Sequence, residues 1–208
     1  VLPIVVAFDD YKKTPNADVI KKYKNDGYTN ILFTGRVASN KCQEDVIRSF
    51  AMYQKYYNPK SRLILIGNAG GFENYKIRLQ KYAKVIGAKH VMFTGHIKFN
   101  EILAYYHLAD VFLCQSEHEG FCVPLVEAMF FKVPVVAYAS SAIPETLGKG
   151  GLVLENKDAI ETAGVIDRIV RDSDLKETLI QNQCERLKDF SYEKIAARFQ
   201  TLMEENVL

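Results

Sequence analysis

Six short apolar runs, four to six residues each and separated by longer amphipathic stretches, constrain this chain more than any other feature. They are NILFTG (30–35), RLILIG (62–67), HVMFTG (90–95), DVFLCQ (110–115), PVVAY (134–138) and GLVL (151–154). Runs of this length, bounded by turn residues, read as buried strands. Three of them end on Gly, which lets a strand turn sharply into a loop. Between them, CQEDVIRSFAMYQKYY repeats Val46, Phe50 and Tyr53 at spacings of four and three, one face of a helix. FENYKIRLQKYAKVIG does the same with Tyr75, Leu79 and Tyr82. Strand and helix in strict alternation predict an α/β fold: a Rossmann-like parallel sheet of about six strands, helices on both faces. Such sheets take ligands beyond the carboxyl ends of their strands, so the loops after the strands are the candidate site.

Beyond residue 157 the strand pattern stops and three helical patterns follow, 158–172, 174–187 and Tyr192 to about Glu205 behind the start signal Ser191. Residues 1–15, with Pro3 and Pro15, read as an extended lead-in. The expected organisation is an interdomain linker or lead-in over 1–15, one Rossmann-like ligand-binding domain over 16–190, and a C-terminal helix over 191–208. The sequence opens on Val1 without Met, and a piece of a longer protein is expected. With 208 residues, 48% of them hydrophobic, there is ample material for a core. A net charge of +2 without a long basic run argues against a nucleic-acid surface. The four cysteines, Cys42, Cys114, Cys122 and Cys184, form no C-x-x-C pair and read as free thiols of a reducing compartment, against a disulfide frame or a zinc site. No apolar run approaches the roughly 20 residues that span a bilayer.

The stretch EHEGFCVPLVEAM (117–129) follows the fourth strand directly. Pro124 suits the first turn of a helix, where its missing N–H costs nothing. Glu127 then lies about one turn into that helix and Glu119 in the loop before it. The unpaired N–H groups at the helix start suit a phosphate, and Gly120 lets backbone approach a ligand. A carboxylate cannot neutralise phosphate, so its natural partners there are hydroxyls: a ribose on one side, another sugar on the other. On spacing alone a second reading stays open, in which Glu127 only complements the helix dipole and Glu119 is a solvated loop charge. After the first strand, TGRVASNK (34–41) places Arg36 and Lys41 at the same edge, where two cations could clamp a diphosphate or be solvated.

These residues together resemble the retaining glycosyltransferases of family 4, with the two-domain GT-B fold, over nearly the whole chain and only in their C-terminal, donor-binding half. The resemblance rests on GRVASNK (35–41), GNAGG (67–71), FTGHI (93–97), SEHEGFCVPLVEAM (116–129), PVVAY (134–138) and AIPET (142–146), in that order. It implies that Arg36 and Lys41, beside Gly35, hold the donor diphosphate, that Glu127 meets the ribose, and that Glu119 contacts the transferred sugar. It further implies that backbone from Gly120 through Phe121, Cys122 and Val123 to Leu125 meets sugar and phosphate, and that His96 and Ile97 meet the base. Many members have Gly where this chain has Cys122. The donor is then a UDP-, GDP- or ADP-sugar, with no metal and no cofactor. A sugar or lipid-linked acceptor is reached through an N-terminal half. Residence is cytoplasmic, and the full-length enzyme is free to associate peripherally with the inner face of the membrane.

Other signals carry less. Asp172-Ser173-Asp174 is a D-x-D, a metal motif in another glycosyltransferase architecture, but it falls between helical patterns, where Ser173 or Asp174 is expected as a helix cap. His118 could reach the site or be a solvated loop residue; Tyr105, Tyr106 and His107 read as packing. Gly67 to Gly71 lacks the Lys-Ser/Thr of a P-loop and reads as a turn near the ligand. Two rival functions stay open: a doubly wound nucleotide-binding or signalling module without chemistry of its own, and half of a nucleotide-sugar epimerase.

Overall fold

The computed structural model describes residues 3–207. Six strands, β1 (Thr29–Thr34), β2 (Ser61–Ile66), β3 (Val91–Gly95), β4 (Val111–Cys114), β5 (Val135–Tyr138) and β6 (Leu152–Leu154), form one sheet in the order β3-β2-β1-β4-β5-β6. Every pairing is parallel. The helices are α1 (Phe8–Tyr11), α2 (Ala17–Tyr23), α3 (Gln43–Tyr56), α4 (Glu73–Val85), α5 (Phe99–Leu108), α6 (Val123–Phe130), α7 (Ile143–Leu147), α8 (Ala159–Arg171), α9 (Ser173–Leu187) and α10 (Tyr192–Val207).

Alternation of side chains along each strand splits the core in two. Leu32, Phe112 and Val135 point to one face, against Leu103 and Tyr106 of α5 and Leu125 and Met129 of α6. Ile31, Leu63 and Leu113 point to the other, against Val46 and Phe50 of α3 and Ile166 of α8. Of the helix faces expected from spacing, Val46, Phe50 and Tyr53 are wholly inaccessible, while in the second Tyr75 and Leu79 are buried and Tyr82 is half-buried.

The strand order reverses between β1 and β4, so the helices that follow them pass to opposite faces of the sheet and the crevice lies at this edge. Gly67 keeps this edge narrow. A Cβ there would stand 1.9 Å from the carbonyl oxygen of Gly35, so only glycine lets the chain leaving β2 pass the chain leaving β1.

Two local expectations change. The lead-in is not wholly extended: Phe8–Tyr11 forms a short helix, because Phe8 stacks on Phe130 (centroids 5.6 Å apart) and Tyr11 packs on the same ring. The cap of α9 is Asp172, not Ser173 or Asp174; its carboxylate accepts the Leu175 N–H at 2.9 Å, and Ser173 is already the first helical residue.

Candidate functional site

The loop leaving β1 is pinned to its neighbour by two backbone bonds, Gly35 N–H to Ile66 O (2.9 Å) and Val37 N–H to Asn68 O (2.9 Å). This presents Arg36 to solvent, its guanidinium 5.5 Å from the centre of the Phe72 ring. A single 3-10 turn, Ser39–Lys41, then carries the chain toward β4. There Glu117 N–H donates to Asn40 O (2.9 Å) and the Asn40 amide to His118 O (3.3 Å), tying the two loops together. The result brings Lys41 Nζ to 2.6 Å from Glu119 Oε1, with the Glu119 side chain only 9% exposed. Two residues 78 apart in sequence thus form one ion pair at the crevice.

Lys157 buttresses the same loops from beneath, with Nζ 2.9 Å from Glu117 and 3.2 Å from Asp45. Burial pulls its pKa down, but the bonds to Glu117 and Asp45 outweigh that and hold it well above the usual lysine value. Nothing in its sequence surroundings marked it, because its partners come from α3 and from the loop after β4.

Helix α6 begins at Cys122, whose φ of 67° lies in the left-handed region that glycine fills without strain. That backbone demand explains why glycine suits this position. Among the described residues, no acceptor takes the N–H groups of Gly120, Phe121 or Cys122. Gly120 is exposed, Phe121 and Val123 are half-buried, and Leu125 is fully buried in the core with its N–H already donated to Cys122 O at 3.0 Å, so it is the member of this stretch least open to a ligand. Phe121 sets its ring edge-on to Phe190 at 5.5 Å, and its carbonyl accepts the Thr146 hydroxyl at 2.6 Å. Beside Gly120 and Phe121 opens a cavity of about 490 Å³, walled further by Ile4, Arg186, Phe190 and Ile195.

Glu127 is not a bare helix charge. Tyr11 Oη donates to its Oε1 at 3.0 Å and Tyr106 Oη to its Oε2 at 2.7 Å. The Thr34 hydroxyl, 2.8 Å from Tyr106 Oη, completes the chain from β1. Tyr106 was expected to do no more than pack; it packs and also orients the carboxylate. Burial, then the Glu127 charge, push the hydroxyls of both tyrosines far above the ordinary phenol range. Each carboxylate oxygen retains a second lone pair, so Glu127 is fixed in direction yet still able to accept from a ligand.

His96 and Ile97 follow β3, two strands from β1 on the same sheet edge; His96 is exposed and Ile97 half-buried. They are set apart from the Lys41–Glu119 pair. His118 is exposed, with Nδ1 3.4 Å from the Ser141 hydroxyl. The structure does bring two of the scattered cysteines together: the sulfurs of Cys114 and Cys122 and a carboxylate oxygen of Glu119 all lie within 4.8 Å of one another. Hydrogen bonding from Cys122 pulls the Cys114 thiol down, and the same bond together with burial pushes the Cys122 thiol up.

The family described as "Glycosyl transferases group 1" matches residues 16–186. A GDP-mannose-dependent alpha-(1-6)-phosphatidylinositol monomannoside mannosyltransferase of Mycobacterium tuberculosis is 28% identical over 185 residues, 83% of this chain and 47% of that protein. The capsular polysaccharide biosynthesis glycosyltransferase CapM of Staphylococcus aureus is 27% identical over 193 residues, 89% of this chain and 49% of its own. The chain therefore spans about half the length of the curated relatives it matches. Among solved structures, the C-terminal domain of a glycosyl transferase group 1 family protein (LpcC) from Francisella tularensis superposes with a TM-score of 0.72 at 26% identity, covering 88% of this chain and 96% of that one. The fold is shared also with Anabaena Alr3699/HepE, solved with UDP and glucose (TM-score 0.80, 21% identity, 96% of this chain and 55% of that one). With the family match running through both loops of the crevice, the chain belongs to the glycosyl transferases of group 1.

Proposed function

We propose that this chain is the nucleotide-sugar-binding part of a retaining glycosyltransferase of family 4, moving a hexosyl group from a nucleoside-diphosphate sugar to a glycan, polysaccharide or glycolipid acceptor. The observation that carries this reading is the meeting of Lys41 with Glu119 at the crevice, beside the open start of α6. A lysine ammonium has three donors, so Lys41 can hold Glu119 and a phosphate oxygen together. Arg36, at the outer side of the same loop, adds the second cation. As the glycosidic bond breaks, charge grows on the departing nucleoside diphosphate, and both cations and the free N–H groups before α6 are aimed at that charge. Glu127, oriented by two tyrosines, is left to accept from ribose hydroxyls, and Glu119 from the sugar. The GDP-mannose dependence named for the Mycobacterium relative favours a nucleotide sugar as the donor. With side chains and backbone supplying the positive charge, no divalent cation is required. Acceptor binding and transfer itself need the other half of the enzyme.

A thermal-shift screen of the chain against UDP, GDP, ADP and their common sugars, in chelator, tests this. A ligand at one hundred times its Kd should stabilise by roughly 2.7 kcal/mol. No shift with any of them would favour the non-catalytic module, and a strict Mg²⁺ or Mn²⁺ requirement would sink the metal-free scheme.

A further inference from the structure

The crevice holds two buried thiols, beside Glu119, whose sulfurs the transfer reaction does not use. Cys114 ends β4, Cys122 caps α6, and Glu119 lies in the loop between them; all three are buried, and their ligand atoms stand within 4.8 Å of one another. We propose that Cys114, Cys122 and Glu119 form a binding site for a thiophilic divalent cation of the zinc class, and that metal bound there antagonises donor binding.

Three observations support it. The first is the donor set: two sulfurs and a carboxylate oxygen select a soft or borderline cation over Mg²⁺ or Ca²⁺. The second is spacing. Zinc–sulfur bonds of about 2.3 Å and zinc–oxygen bonds of about 2.1 Å place tetrahedral ligands roughly 3.5 to 3.8 Å apart, so the cluster need contract by no more than about an ångström. The third is charge. Two thiolates and a carboxylate around a divalent ion leave one negative charge, and the Lys41 ammonium, 2.6 Å from Glu119, neutralises it. A buried site with no net charge avoids the cost that would exclude an unbalanced one. Three protein ligands leave a fourth position for water.

The antagonism rests on the function proposed above. Glu119 ligated to metal is no longer free to accept from a sugar. Metal here would therefore turn the donor site off. Cys122 is the residue that makes this possible, since glycine at the same left-handed position would leave a single thiol.

Titration of the reduced chain with Cd²⁺, followed by the ultraviolet cadmium–thiolate charge-transfer band, tests the site without any nucleotide. One Cd²⁺ per chain is expected, competed by Zn²⁺. The band should vanish in Cys114→Ser and in Cys122→Ser, persist in a Cys42→Ser/Cys184→Ser double variant, and require about tenfold more metal in Glu119→Gln. Circular dichroism identifies a variant that fails to fold, and the double variant then still decides the matter, because loss of the band there assigns the metal to Cys42 or Cys184 and overturns the site. Absence of a band in the folded wild type also overturns it. For the antagonism, chain loaded with Zn²⁺ and freed of excess metal by gel filtration should bind its nucleoside-diphosphate sugar at least about tenfold more weakly than chain kept in chelator. Equal affinity would refute the antagonism. Failure of any donor to bind even in chelator would instead refute the donor-site reading and leave the cadmium result standing.

Discussion

Lys41 and Arg36 sit in different electrical surroundings, and substitution should separate two effects that a shared role would blend. Removing Lys41 leaves the Glu119 carboxylate, 9% exposed, without its cation. Lys41→Ala should therefore cost about 1–3 kcal/mol of fold stability as well as donor affinity. Arg36 is exposed and, among the described residues, its side chain meets only the Phe72 ring, so Arg36→Ala should cost no more than about 1 kcal/mol of stability. Both should weaken nucleoside diphosphate about tenfold to a hundredfold and leave the nucleoside nearly unchanged, as read by calorimetry. Equal loss for nucleoside and diphosphate would remove the clamp. The glutamates should divide similarly. Glu127→Ala is expected to weaken nucleoside diphosphate itself, whereas Glu119→Ala should spare it and weaken only the sugar-bearing donor; loss of both ligands in both variants would show the division to be wrong. The charged residues of this site were legible because their positions after strands fixed which edge they reach. Tyr11, Thr34, Tyr106 and Lys157 were not. Their contacts, Tyr11 and Tyr106 with Glu127, Thr34 with Tyr106 and Lys157 with Glu117, cross between elements, and no local spacing encodes a contact 116 residues apart.

At the scale of elements, strands and helices were readable because apolar length and period report burial directly. The expected run 62–67 is β2 at Ser61–Ile66, and 174–187 is α9 at Ser173–Leu187. What spacing could not report is where backbone must adopt an unusual conformation. Helix α6 shows this at both ends, with Cys122 at φ 67° before it and Lys132 at φ 58° after it. Val133 N–H returns to Ala128 O at 2.9 Å and Lys132 N–H to Met129 O at 3.0 Å, the paired bonds of a left-handed helix stop that usually takes glycine. Lys132 is exposed and, among the described residues, makes no side-chain bond that glycine would forfeit. Its charge near the helix end is favourable by a few tenths of a kcal/mol, against about 1 kcal/mol of left-handed strain. Lys132→Gly should therefore raise stability by about 0.5–1 kcal/mol, or roughly 2–3 °C in Tm. A lowered Tm would mean that the lysine contributes something the contacts around it do not contain.

For the molecule as a whole, the two cores on opposite sheet faces are closed at their margins by tyrosines rather than by further aliphatic residues, and this sets how the fold responds to alkali. Burial and the Glu127 charge raise Tyr11 and Tyr106; burial and Glu44 raise Tyr75; burial and the neighbouring Tyr23 push Tyr105 up to about 12. In each case the folded chain holds the phenolic proton more tightly than the unfolded chain, whose tyrosines titrate near pH 10. Stability from these groups is therefore complete below about pH 10 and is lost as pH rises from there through the raised folded values. Lys157 acts in the same direction, since its bonds to Glu117 and Asp45 hold its proton beyond the unfolded lysine value. Tyr53, raised by burial, joins them, and with five phenols resisting ionisation while the fold stands the loss should be cooperative. Urea midpoints should stay level from about pH 8 to just under pH 10 and then fall steeply, while tyrosinate absorbance shows a late, abrupt step coincident with loss of helix signal. If all 12 tyrosines titrated smoothly around pH 10 with helix content intact, the hydroxyl network joining Tyr11, Tyr106 and Glu127 could not be as described, and the orientation it gives the ribose-facing carboxylate would fall with it.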